Sequence, residues 1–174
     1  MKFSRLIGLG LVALMLGACG GPDKEEGMEE ATEGTADEIS VTDAELAGNP
    51  FLEEWDTPYG VPPFDAIKDE HYMPAFKKGI LELRADIAAI LDNAEPPTFE
   101  NTILAQEMAG KLLTKVNYTF GNITNTELND ELRALESKIN PMLTREYDAI
   151  NLNTDLYARV KAVYDQKDAL GLDE

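Results

Sequence analysis

The sequence predicts an all-α fold, and three observations predict it. Apolar residues recur at helical spacing in four successive stretches, strand-like alternation is sustained nowhere, and Gly and Pro gather between the stretches. The chain has 174 residues, 44% hydrophobic and 28% charged. That is a globular balance, with room for one ordinary domain and additional segments.

The folded part is expected over 49–174. Its lead-in, "NPFLEEWDTPYGVPPF", carries Pro50, Pro58, Gly60, Pro62 and Pro63 and should run extended, with Phe51, Trp55, Tyr59 and Phe64 as aromatic anchors. A first helix is expected from about Glu70 to Asp92, with Pro74 in its opening turn, where a missing N–H costs little. Phe76, Ile80, Leu83, Ile87 and Ile90 form its apolar stripe, and "NAEPPT" ends it. A second helix should run from about Phe99 to Ile123 behind Thr98 as N-cap, with apolar positions at Ile103, Leu112, Leu113, Val116, Phe120 and Ile123.

A third helix is expected from about Glu127 to Ile150, capped by Thr126 and kinked at Pro141. Its apolar positions are Leu128, Leu132, Leu135, Ile139, Met142 and Leu143. The fourth follows "LNT", with Leu156, Val160 and Val163 on one face and Tyr157 and Tyr164 beside them. Short loops between the helices imply antiparallel neighbours.

Charge excludes one class of partner. The formal net charge is −18, from 33 Asp and Glu against 15 Lys and Arg. Such a field repels phosphate backbones, so no nucleic-acid partner is expected. Residues 20–48 hold ten acids and one lysine, and residues 49–174 hold 23 acids and 12 bases. About half of the excess therefore lies in a short stretch rich in Gly, Thr and acid. That composition cannot bury enough surface to offset its ordering entropy, so residues 19–48 are expected to form an acidic disordered linker, a tether that self-repulsion keeps extended.

The N-terminus reads as an address. "MKFSRLIGLGLVALMLGAC" has a basic start and an apolar run, Leu6 to Leu16. Eleven helical residues cover about 16 Å, against roughly 30 Å of bilayer hydrocarbon, so the run suits a signal peptide over 1–18 better than a span. "LGAC" resembles the lipobox of bacterial lipoproteins, which implies lipidation of Cys19 and anchoring to the membrane. The alternative is an ordinary signal peptide with a cysteine near its cleavage site. Gly20, where some lipoproteins carry Asp, points to a cell-envelope location at the outer membrane facing the periplasm, and "KEE" at 24–26 also fits a surface-export signal. Cys19 is the single cysteine, so disulfides and cysteine zinc sites within the chain are excluded.

No residue of the sequence emerges as catalytic, cofactor-binding or metal-binding. A zinc peptidase needs two histidines at i, i+4 around a glutamate on one helix face. The chain has one histidine, His71, beside Asp69 and Glu70, and residues at such short spacing do not share a helix face. A helix-start histidine hydrogen-bonded locally is the expectation. "NTELNDE" (125–131) lacks the glycine and spaced glutamate of a calcium loop, and its acids read as first-turn charges. No phosphate-binding loop or nucleophile elbow is present, and "NYT" and "NIT" fall inside a helix.

Several blocks together carry a resemblance. "NPFLEEWDTPYGVPPFDAIKDEHYMPAF", "PPTFENTILAQEMAGKLLTKV", "TNTELNDELRAL" and "INLNTDLYARVKAVYDQKDALGLDE" occur in order over 49–174. They are similar to the opening of the M3 family of zinc metallopeptidases, in particular its bacterial peptidyl-dipeptidase branch. The resemblance implies an N-terminal helical domain forming one wall over a deep channel, a missing catalytic domain with an HExxH zinc site further along the chain, and release of C-terminal dipeptides from short peptides. Zinc is the implied cofactor of the full-length family member, and none is expected to be bound by this segment, which should be inactive alone. His71 falls in the family's "EHY-x-P-A-F" block as a structural signature. Two readings remain open: the N-terminal helical part of a lipid-anchored M3 peptidase, truncated or split from its catalytic domain, or a self-contained acidic helical lipoprotein acting as a binding or interaction module. In the first, Phe120, Ile123, Tyr157 and Tyr164 are the expected exposed apolar patch.

Overall fold

The computed structural model describes residues 39–127 and 129–170. In chain order its helices are α1 (Asp43–Leu46), α2 (Asp69–Leu91), α3 (Ala105–Glu107), α4 (Lys111–Thr126), α5 (Asp130–Asn151), α6 (Thr154–Tyr164) and α7 (Lys167–Leu170). Short 3₁₀ turns lie at Pro50–Leu52 and Pro58–Gly60, and a π-helical turn at Phe99–Leu104 precedes α3. The described residues contain no strand, and no helix among them is long and apolar enough to cross a membrane. The fold is all-α.

Helix α2 is the centre, because its apolar face is the widest. Tyr72, Ala75, Phe76, Gly79, Ile80, Leu83, Ile87 and Ile90 are all buried, at steps of three, one and four residues that keep them on one side of a 3.6-residue helix. On this face α2 packs against α3, α4, α5 and α6. The pairing with α4 is antiparallel: Tyr72 meets Phe120, Gly79 meets Leu113, and Asp86 near the end of α2 meets Gly110 at the start of α4. Leu113, Val116 and Phe120 fill α4's side of the seam, Leu132, Ile139 and Leu143 that of α5, and Leu156 that of α6. Each such side chain contributes about 1.5–3 kcal/mol of apolar burial.

The ordered part starts before residue 49. Ile39 is buried in the core, and α1, in the stretch expected to be disordered linker, packs on α2. Thr42 caps it: its hydroxyl accepts from the Glu45 N–H, and the Glu45 carboxylate accepts from the Thr42 N–H at 2.8 Å. The Thr42 N–H and the Thr42 hydroxyl both donate to the Glu45 carboxylate and hold its pKa below the ordinary value. Residues 1–38, which hold the expected signal peptide, Cys19 and most of the expected linker, lie outside the described residues.

Three local expectations differ from the structure. Pro74 is the sixth residue of α2, past the opening turn, so it leaves the carbonyl of Glu70, an exposed residue, to solvent. The expected second helix is interrupted at Met108–Gly110: Gly110 takes a left-handed conformation (φ 66°), its N–H accepted by Asp86 Oδ2 at 2.9 Å, and a Cβ there would lie 3.0 Å from Leu83. Thr98 caps as expected, accepting from the Asn101 N–H. Thr126 does not cap α5. It ends α4, donating back to Asn122 O at 2.9 Å, and Asn129 caps α5 by accepting from the Leu132 N–H at 2.7 Å. Helix α5 is continuous through Pro141.

Two polar ties fix the helices' register. Arg84 of α2 grips Glu146 of α5 in a two-pronged ion pair, with Nε to Oε2 at 2.7 Å and Nη2 to Oε1. Arg159 of α6 donates to the Asn93 carbonyl, just past the end of α2, at 2.9 Å.

Candidate functional site

The sequence motif around His71 resolves into a joint. His71 is the third residue of α2; its Nδ1 accepts from the Lys68 N–H at 3.0 Å while its own N–H donates to the Lys68 carbonyl at 2.9 Å. The imidazole thereby supplies the acceptor that a helix start needs. The His71 carbonyl in turn accepts from Asn49 Nδ2 at 2.9 Å, and Asn49 Oδ1 accepts from the Phe51 N–H. Asp69 and Glu70 do not join His71 in a ligand set, and no group of three or more His, Cys, Asp or Glu able to hold a metal occurs among the described residues. The donors at this joint do not fit zinc.

The lead-in is pinned onto the helices by one lysine. Lys115 of α4 donates to the carbonyls of Phe51 and Glu53, at 3.0 and 2.7 Å, and its ammonium lies 4.1 Å from the centre of the Trp55 ring. Burial pushes the Lys115 pKa down, against the pull of Glu53 and Glu54. Phe51 then continues into a run of ring contacts: Phe51 to Tyr72 at 5.3 Å, Tyr72 to Phe120 at 5.0 Å, and Phe120 to Phe76 at 5.5 Å. Phe120 is therefore core and not exposed patch, with 5% of its surface accessible. Ile123 is half-buried, whereas Tyr157 and Tyr164 are exposed.

Beyond the pin, the lead-in turns outward. Tyr59 is fully exposed and holds a left-handed backbone (φ 61°) ahead of Gly60 at φ 67°. A non-glycine residue there costs roughly 1–2 kcal/mol. Val61 and Phe64 also face solvent.

This turn forms one wall of a cavity of about 810 Å³. Val61, Pro62, Phe64 and Ile67 belong to the lead-in, Asp69 and Tyr72 to the start of α2, Ile123 and Thr126 to the end of α4, and Leu132 to α5. Asp65, Asp69 and Glu127 are its charged lining residues, with no lysine or arginine among the lining groups. Tyr72 is 2% accessible, and burial together with the charge of Asp69 pushes its pKa up to about 12. The arrangement can bind; it contains no paired nucleophile and base. The sequence held the lining residues, but only folding brings 61–72 beside 122–132.

No family model matches the chain. It is similar to peptidases over most of its folded part. Over 125 residues it is 46% identical to dipeptidyl carboxypeptidase of Escherichia coli (strain K12), covering 72% of this chain and 18% of that protein. The same-named protein of Salmonella typhimurium is 42% identical over 129 residues, covering 74% and 19%. Oligopeptidase A of Salmonella typhimurium is more distant, 27% identical over 109 residues, covering 63% and 15%. The chain thus spans about a fifth of the length of the dipeptidyl carboxypeptidases it matches.

Proposed function

We propose that this chain is the N-terminal helical part of a lipid-anchored, zinc-dependent M3 metallopeptidase of the peptidyl-dipeptidase type, which removes C-terminal dipeptides from short peptides. The observation that carries the reading is the 46% identity to dipeptidyl carboxypeptidase over 125 residues. On this reading the helices provide a wall and a packing surface, and the zinc ligands belong to a catalytic domain elsewhere in the polypeptide. His71 is a helix cap in that scheme, consistent with its bond to the Lys68 N–H. The exposed Tyr157 and Tyr164 fit a face made for that domain.

Reading the gene beyond codon 174 tests the proposal. An HExxH in the same frame, or in an adjacent split gene, is the expected result. A stop codon with no catalytic gene beside it would favour the self-contained binding module.

Anchoring through Cys19, at the outer membrane facing the periplasm, is part of the same proposal and rests on the lipobox-like "LGAC". Replacing Cys19→Ser should leave the precursor unprocessed or release the protein from the membrane fraction. Normal processing and full membrane retention of the variant would remove the anchor from the account.

A further inference from the structure

We infer that His71 is a pH-sensitive latch: uncharged, it holds the lead-in on the start of α2, and on protonation it lets that end of the lead-in go. The inference goes beyond the peptidase reading and holds whether or not that reading does.

The direction of one hydrogen bond carries it. His71 Nδ1 accepts from the Lys68 N–H at 3.0 Å, so this nitrogen has no proton in the closed joint. A proton there turns the acceptor into a donor facing another donor. It also sets a positive charge at a helix N-terminus, where the macrodipole disfavours it. The opening turn of α2 has little else to hold it. Pro74 has no N–H, so the Glu70 carbonyl lacks its partner along the helix, and the Lys68 side chain makes no cap.

The lead-in hangs on the same turn. The His71 carbonyl accepts from Asn49 Nδ2 at 2.9 Å, Asn49 is 2% accessible, and its Oδ1 accepts from the Phe51 N–H at 3.1 Å. Movement of the first turn therefore reaches the lead-in directly and leaves the bonds from Lys115 as its remaining hold.

The surrounding charges do not replace the lost bond. Lys68, Asp69 and Glu70 belong to the same turn, and Lys68 pairs with Glu70 at 3.7 Å. Of the elements packed on α2, α1 carries Asp43 and Glu45, the lead-in turn runs into Glu53 and Glu54, α4 is uncharged beyond Lys115, and α5 opens with Asp130 and Glu131. Among the described residues none of these carboxylates forms an ion pair with His71. Closed, the latch keeps Nδ1 bare; open, it lets Nδ1 take a proton, so the open form gains as pH falls.

Hydrogen exchange of the purified chain, followed by NMR from about pH 8 to about pH 5, where histidines change charge, tests this. The Lys68 and Phe51 amides, one bonded to the ring and the other to Asn49, should lose about three- to tenfold in protection factor, the size of a lost helix cap. The Lys68 amide shift should move with the same midpoint as the carbon-bound protons of the His71 ring, a readout that needs no variant. Trp55, the chain's single tryptophan, lies in the lead-in, and its fluorescence should change over the same range. His71 is the single histidine, and His71→Gln keeps an acceptor without a titrating group, so in that variant protection and fluorescence should stay level. Unchanged protection in the parent while the ring titrates, or the same loss in His71→Gln, would overturn the inference. Loss at Lys68 with Phe51 unchanged would confine the effect to the helix start and overturn the latch as well.

Discussion

Gly79→Ala should destabilise the protein, although alanine is the better helix former. A Cβ at position 79 would lie 2.8 Å from both Cα and N of Leu113, so the obstruction is the backbone of α4 and not a side chain that could turn away. To admit it, α2 and α4 must separate along the seam that holds Phe76, Val116 and Phe120. Overpacking of this kind costs about 1–3 kcal/mol, more than the ~1 kcal/mol that alanine gains over glycine in a helix. Gly121 supplies the control. It lies in α4, and a Cβ added there would meet nothing within 4 Å, so Gly121→Ala should stabilise by about 0.5–1 kcal/mol. Thermal melts followed by circular dichroism would show the two changes moving the midpoint in opposite directions. A Gly79→Ala variant as stable as the parent would mean that the two helices are not in backbone contact.

The second large effect belongs to the tie between α2 and α5. Glu146 is 8% accessible, and Arg84 is its ion-pair partner, held through two hydrogen bonds. Arg84→Met would leave that carboxylate buried without its cation. Loss of one member of a buried pair costs about 3–5 kcal/mol; the Arg84 side chain is 47% accessible, and solvent reduces the expected loss to about 2–3 kcal/mol. Adding Glu146→Leu should recover much of the loss, because the apolar pair needs no desolvation of charge. Chemical denaturation of the two single variants and the double variant measures the coupling directly. Additive losses would show that the ion pair contributes nothing beyond its separate side chains.

How much of this is readable before folding depends on the interaction range. The buried stripe of α2 is a local pattern, and Phe76, Ile80, Leu83, Ile87 and Ile90 all lie where helical spacing puts them. The exposure of Tyr157 and Tyr164 is likewise legible, as residues beside the α6 stripe and not in it. The burial of Phe120 is not legible, because it depends on the rings of Tyr72 and Phe76, more than forty positions away in sequence.

Some signals are present in the sequence and outweighed. "TDAE" is a capping-box pattern, but the acidity around it argues for disorder; the burial of Ile39 that favours order is a tertiary contact. "MAGK" contains the glycine that breaks the second helix, yet the need for a left-handed residue comes from Leu83 and Asp86 across the seam. Thr126 and Asn129 are both competent caps, and sequence alone does not rank them. The cavity is the least legible feature. Its acids are scattered over 65–127, and the joint that brings them together runs through Asn49, His71 and Lys115.

On the proposed function, these helices are an interchangeable part of a dipeptidyl carboxypeptidase-like enzyme. The most direct measurement is the activity of a chimera in which residues 49–174 replace the matched stretch of Escherichia coli dipeptidyl carboxypeptidase. The account predicts a folded, zinc-loaded protein that still releases C-terminal dipeptides from short peptides. A chimera that folds and holds zinc but releases none would contradict it.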